Sequence, residues 1–225
     1  MTRPPRAVGS QRAGATARGP VPPGELPSGG NLREAALAHL ARFATSETGL
    51  TRVLDRRVAR WARRSLDAGG DPDQVRQQQQ AAREAVRGVV LDMVRLGAVD
   101  DAAFAEGRAR ALTRGGRSRR AIGAHLASRG VDPDQIQQAV QAAQSDALDD
   151  PAQAELAAAL LQARRRRVGP FDAATEDDQP EARQARRQRA LAALARGGFA
   201  HDVALSALDM DRDTAEALIA RLRSG

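Results

Sequence analysis

The sequence predicts an all-α protein of tandem, degenerate three-helix repeats that stack into an elongated, curved body. Three observations predict it. Ala and Arg dominate the chain, and both are good helix formers. Aromatics make up only 2% of residues and β-branched residues are sparse, so strands and an aromatic core are disfavoured. Finally, cap residue, apolar face and terminating glycine recur along the chain. Sliding the chain by 68 residues lays Leu126 on Leu194, Gly130 on Gly198, Val131 on Phe199 and Val140 on Leu208. Degenerate repeats are the simplest account of that echo.

Residues 1–30 hold Pro4, Pro5, Pro20, Pro22, Pro23 and Pro27 among glycines and carry no apolar period. The composition predicts a disordered, weakly basic tail. A first repeat follows at 31–97. Asn31, with Glu34 three residues on, reads as a capping box, and Leu32, Leu37, Leu40 and Phe43 give the helix an apolar face. A second helix follows Thr48. Leu50, Val53, Leu54, Val58, Trp61 and Leu66 repeat at three and four, while Arg52, Arg56, Arg57, Arg60, Arg63 and Arg64 lie on the other face. Gly69-Gly70 ends it. Asp71-Pro72 opens a third helix, since Asp caps and Pro suits the first helical position. That helix runs to Leu96 and stops at Gly97.

A second repeat is expected at 101–146. Asp100 or Asp101 caps its first helix, which carries Phe104 and Leu112, and Gly115-Gly116 breaks it. Ser118 caps the next, with Ile122 and Leu126, up to Gly130; Asp132-Pro133 begins the third, with Ile136 and Val140. A third repeat spans 150–208. It opens at Asp150-Pro151 with Leu156, Leu160 and Leu161, is interrupted by an acidic linker at 169–181, and resumes with Leu191, Leu194, Gly197-Gly198 and Phe199. A terminal helix is expected over 211–225.

The formal net charge is +7, and every one of the 35 Lys+Arg positions is Arg. Arginine forks suit phosphates and carboxylates, which points to a polyanionic partner: nucleic acid or an acidic protein face. The absence of Lys, Tyr and Cys beside abundant Ala, Gly, Pro and Arg also fits a GC-rich coding sequence, so position says more than identity. Without Cys there are no disulfides, thiolate metal sites or Cys nucleophiles. No run approaches the ~20 apolar residues of a membrane span, and no apolar stretch marks a secretory signal. A cytoplasmic, monomeric protein is expected.

Nothing in the sequence builds a catalytic site. His39, His125 and His201 stand alone in helical segments and form no HxxxH or HExxH pattern. Asp100-Asp101 sits at a helix start, where capping explains it. A phosphate loop of the GxxxxGK[ST] kind cannot exist without Lys. The paired glycines lack the preceding strand of a dinucleotide site and read as helix terminators. No catalytic residue, metal or cofactor is therefore expected.

The arginines are what is left. Arg108, Arg110, Arg114, Arg117, Arg119, Arg120 and Arg129 concentrate in the second repeat, and Arg186 and Arg187 lie in the third. Arg56, Arg57 and Arg60, with Arg164, Arg165, Arg166 and Arg167, form a secondary set. Any single one could be a solvated helix face, and the run at 164–167 also complements a helix C-terminus. With few aromatics to stack on bases, a surface that tracks phosphate or protein fits better than sequence readout.

The second repeat resembles the RecX family of regulators of the RecA recombinase. The matching residues are Leu96-Gly97, Asp100-Asp101, Phe104-Ala105, Arg108, Gly116, Arg119-Arg120-Ala121-Ile122, Leu126 and Arg129-Gly130-Val131. Leu194-Ala195-Arg196-Gly197-Gly198-Phe199 is similar to the family's C-terminal signature, and the resemblance covers about residues 31 to 210. Departures are the absent Tyr after the Asp pair, a first repeat that carries Trp61 and lacks an Arg-Gly-Phe ending, and the acidic linker. The resemblance implies a non-enzymatic partner of the RecA–single-stranded DNA filament. Such a protein lies in the filament groove, opposes its extension and depresses ATP hydrolysis, strand exchange and co-protease action. Those are roles in recombination, DNA repair and the SOS response. Two other readings stay open: a helix-turn-helix protein that binds single- or double-stranded DNA, and a non-catalytic helical scaffold that docks a protein.

Overall fold

A computed structural model describes residues 24–173 and 179–224. The described residues form ten α-helices and one short 3-10 turn, with no strand. The fold is all-α and made of tandem helical repeats, as the sequence predicts. The helices are α1 (Gly29–Leu40), α2 (Glu47–Asp67), α3 (Pro72–Arg95), α4 (Asp101–Arg114), α5 (Arg119–Ser128) and α6 (Pro133–Ala147). They continue with α7 (Pro151–Arg166), the 3-10 turn (Gly169–Phe171), α8 (Pro180–Arg196), α9 (His201–Asp209) and α10 (Arg212–Ser224).

Most helix starts follow local chemistry. Asp71, Asp100, Ser118, Asp132 and Asp150 each accept a hydrogen bond from a first-turn N–H, and Pro occupies the first position of α3, α6 and α7. Asp211 caps α10 by accepting from Thr214 N at 2.8 Å. Two starts differ from expectation. Asn31 lies inside α1, not at its cap; its Oδ1 reaches back to accept from Ser28 N at 2.8 Å, so Ser28 is the cap and Glu34 takes no part. Likewise α2 is capped by Ser46, two residues before Thr48, with Gly49 N donating to its hydroxyl at 3.0 Å. Of the expected linker at 169–181, residues 174–178 lie outside the described residues, and Pro180 and Glu181 already belong to α8. Residues 1–23 of the expected tail also lie outside them.

Three main cores form along the chain. The first gathers Leu32 of α1, Leu50, Leu54 and Val58 of α2, and Val86 and Met93 of α3. The second joins Ala105 and Ala109 of α4, Ile122 and Leu126 of α5, and Val140 of α6. The third unites Leu160 and Leu161 of α7, Leu194 of α8, Leu208 of α9 and Ile219 of α10. Ala147 and Leu148, at the end of α6, also enter this third core and fasten it to the second. Alanine does much of the packing: Ala105 and Ala109 of α4 are fully buried opposite Ala139 and Ala143 of α6. Small faces let two helix backbones approach closely, which compensates for the scarcity of aromatic side chains. Several larger residues are exposed instead. Leu37, Phe43 and Leu66 point outward at 48%, 51% and 46% exposure, so the apolar faces of α1 and α2 are narrower than their spacing suggests.

Candidate partner-binding surface

The three cores are joined by one device used twice. Ser46, the cap of α2, is fully buried, and its hydroxyl donates to the carbonyl of Arg129, the C-cap of α5, at 2.6 Å. Ser118, the cap of α5, is also fully buried and donates to the carbonyl of Gly197, the C-cap of α8, at 2.7 Å. Each serine therefore finishes two helices at once. It accepts an orphan N–H of its own helix and donates to an orphan carbonyl of the next group's helix. Positive helix N-termini thereby meet negative C-termini, a favourable dipole arrangement.

Close approach at these joints requires glycine. Gly130 has φ 78° and Gly198 has φ 89°, both in the left-handed region. A Cβ on Gly130 would collide with the Thr48 hydroxyl, and one on Gly198 would lie 2.6 Å from the Ser118 hydroxyl. The sequence identifies these glycines as helix terminators; the structure adds that they are also seats for the neighbouring helix.

A carboxylate from the next group completes each joint. Glu47 N, at the first position of α2, donates to Asp101 Oδ1 at 2.7 Å. Arg119 N, at the first position of α5, donates to Glu155 Oε2 at 2.9 Å. Asp100 thus caps its own helix while Asp101 caps a distant one. Glu155 is buried and also accepts from Gln144 Nε2 at 3.1 Å. Burial pushes its carboxyl above the usual range, against the pull of the Arg119 N–H and guanidinium and of Gln144.

These joints string α2, α5 and α8 end to end in one row. Many arginines singled out from sequence ride on it. Arg56, Arg57 and Arg60 lie on α2; Arg119 and Arg120 open α5, with Arg117 just before and Arg129 just after; Arg186 and Arg187 lie on α8. Arg108, Arg110 and Arg114 belong to α4 beside the row, and Arg164, Arg165, Arg166 and Arg167 end α7.

The structure divides these arginines into two sets. One set holds the fold. Arg110 Nε donates to Asp146 Oδ2 at 2.8 Å, a bond that raises its already high pKa. Arg164 pairs with Glu216 at 2.6 Å, binding α7 to α10, and Arg165 donates to the Gly115 carbonyl at 2.9 Å. Arg187 grips Asp209 with both guanidinium nitrogens, which holds that carboxyl below its ordinary value. Arg186 lies 3.6 Å from Asp172, and Arg119 lies 3.9 Å from Glu155. Arg108 Nε donates to His125 Nε2 at 3.1 Å. The other set is exposed and makes no ion pair among the described residues: Arg56, Arg57, Arg60, Arg114, Arg117, Arg120, Arg129, Arg166 and Arg167.

His125 reports the field these groups make. Burial lowers its pKa first, and the positive charges of Arg108, Arg129 and Arg117 lower it further. Among the described residues no group of three or more His, Asp or Glu side chains could hold a metal ion. No helix there is long and apolar enough to cross a membrane.

Residues 100–140, covering α4, α5 and the first half of α6, match the family model described as RecX, second three-helix domain. The chain is 34% identical over 192 residues to the regulatory protein RecX of Myxococcus xanthus (strain DK1622), covering 85% of this chain and 91% of that protein. No solved structure matches the chain. With that identity over nearly the whole length of both proteins, and with the Asp100 cap, the Ser118 joint and Gly130 all inside the matched domain, the chain belongs to the RecX family of regulatory proteins.

Proposed function

We propose that this chain is a non-enzymatic, cofactor-free regulator that binds the RecA–single-stranded DNA filament along its groove and holds down ATP hydrolysis, strand exchange and co-protease action. It does so as a cytoplasmic monomer of three helical repeats. One observation carries the reading: exposed arginines that make no ion pair among the described residues gather on and around a row of helices fastened end to end. Helices of 21, 10 and 17 residues supply that row. At 1.5 Å per residue they amount to roughly 70 Å of helix, enough to meet several filament subunits at once. Weak contacts repeated along a filament gain affinity through effective concentration, without one strong site. Arg56, Arg57, Arg60, Arg117, Arg120 and Arg129 are the contact residues, meeting acidic protein faces or DNA phosphate. Arg114, with Arg108, Arg110 and Arg119, extends the surface onto α4 and the start of α5. Arg186 and Arg187 extend it onto α8, and the run at 164–167 lies at its edge.

A helix-turn-helix reading fits less well. A recognition helix presents its N-terminal residues to base edges. The N-terminus of α5 is instead closed by α8, because Ser118 is fully buried against the Gly197 carbonyl.

The test is RecA ATP hydrolysis on single-stranded DNA with this chain titrated in below one copy per recombinase. Suppression is expected well below equimolar amounts. It should be lost when Arg117, Arg120 and Arg129 are changed together to Gln. An unaffected ATPase with the cognate RecA would refute the proposal, and equal inhibition by the triple variant would refute the assigned surface.

A further inference from the structure

We propose that the cleft between the end of α7 and α8 binds a nucleotide-sized ligand through its phosphate chain. The cleft encloses about 480 Å³, within the usual range of small-molecule sites. Its rim carries Arg166 and Arg167 from the end of α7 and Arg183, Arg186, Arg187 and Arg189 from α8. Val168, Ala190, Ala193 and Leu208 supply its apolar lining. Asp172 is the one carboxylate among the described lining residues.

Three features set this cleft apart from an ordinary solvated helix face. First, two of its arginines are braced in place: Arg187 by Asp209 of α9, with Nη2 to Oδ2 at 2.8 Å, and Arg186 beside Asp172 at 3.6 Å. Second, Arg166, Arg167 and Arg183 face the same space with no ion pair among the described residues. Like charges crowded against an apolar wall repel one another, and a bound polyanion relieves that repulsion. Third, Arg167 is the one non-glycine with positive φ among the described residues, at 55°. Gly or Asn would meet that backbone requirement more comfortably, and the position instead carries a charge at the cleft mouth. Arginine forks match phosphate oxygens, while the apolar lining accommodates a base and sugar better than it would a bare inorganic anion.

The cleft shares Arg166, Arg167, Arg186 and Arg187 with the edge of the proposed filament surface, so the inference is tested on the full chain alone, without RecA, where failure of either reading leaves the other standing. Calorimetric titrations would use ATP, inorganic tripolyphosphate and a short unphosphorylated oligothymidylate. One ATP per chain should bind saturably, and more tightly than tripolyphosphate. The double variant Arg167→Gly, Arg183→Gln should weaken it by roughly tenfold. Its thermal melt should be undiminished, because Gly suits the left-handed position and Arg183 is exposed. If only the oligonucleotide binds, the nucleotide proposal is overturned and the cleft is part of a DNA-strand surface instead. Absence of saturation by about 1 mM for all three ligands, or unweakened binding by the variant, overturns the proposal.

Discussion

Changing Ser118 to Ala removes one hydroxyl that two helices share. The Ser118 side chain accepts from Ala121 N at 3.2 Å and donates to Gly197 O at 2.7 Å, and the residue is fully buried. Loss of a Ser cap costs about 1 kcal/mol. Stranding the carbonyl at the end of α8 adds about 1 kcal/mol or more, because a partly buried acceptor loses its donor. The sum, about 2–3 kcal/mol, is a large share of the stability of an ordinary domain. Asp71→Ala is the control: Asp71 is an exposed cap whose carboxylate, among the described residues, accepts from Gln74 N within its own helix, so its loss costs about 1 kcal/mol. Urea denaturation followed by circular dichroism at the helix band measures both. Equal losses in the two variants would show that Ser118 is an ordinary cap, and the joint between α5 and α8 would lose its physical basis.

Other consequences follow from the same structure. Gly130→Ala forces a left-handed backbone on Ala and drives its methyl into the Thr48 hydroxyl, so stability should fall by about 2 kcal/mol; an unchanged melt would contradict the packing at that joint. Thr113→Val should raise stability by about 1 kcal/mol, because the buried Thr113 hydroxyl has no hydrogen-bond partner among the described residues; destabilisation would mean the hydroxyl is in fact satisfied. Folding holds the Glu155 proton more tightly than the unfolded chain does, so protonation favours the native state. That advantage is complete below the ordinary value near 4.5 and is lost as pH rises through the raised native value. The stability of Glu155→Gln relative to the native sequence should therefore climb as pH rises across that window, and a pH-independent difference would refute it. His125 should titrate at higher pH once a polyanion neutralises Arg108, Arg117 and Arg129, as proton NMR with added oligonucleotide would show; an unmoved titration would place the polyanion elsewhere.

What was legible in the sequence was local. Asp71, Asp100, Ser118, Asp132 and Asp150 cap within three residues of themselves, and that signal is written in adjacent letters. Gly130 and Gly198 likewise announce helix ends by type. The joints were not legible, because their partners are far apart: Ser46 meets Arg129 across 83 positions, and Ser118 meets Gly197 across 79. The same distance hid Asp101 and Glu155, which spend their carboxylates on the starts of other helices. The sequence starts the second helix after Thr48; the contact of Ser46 with the end of α5 fixes the cap two residues earlier. Leu37 and Phe43 have the right spacing for a core, but α1 buries only Leu32 and Ala36. Sequence also treats all arginines alike. Only the folded chain separates Arg110, Arg164 and Arg187, committed to internal carboxylates, from Arg117, Arg120 and Arg129, which meet none among the described residues.

The central claim is that the uncommitted arginines along the α2–α5–α8 row form the surface that meets a filament. The most direct measurement is fluorescence anisotropy of the labelled chain titrated with preassembled RecA–single-stranded DNA filament. It compares the native sequence with a variant carrying Gln at Arg56, Arg57, Arg60, Arg117, Arg120 and Arg129. These side chains are exposed and make no ion pair among the described residues, so the variant should melt like the native protein. The account predicts salt-sensitive binding by the native chain and a loss of at least roughly a hundredfold in the variant, about 0.5 kcal/mol for each arginine removed. Undiminished binding by a fully folded variant would contradict it.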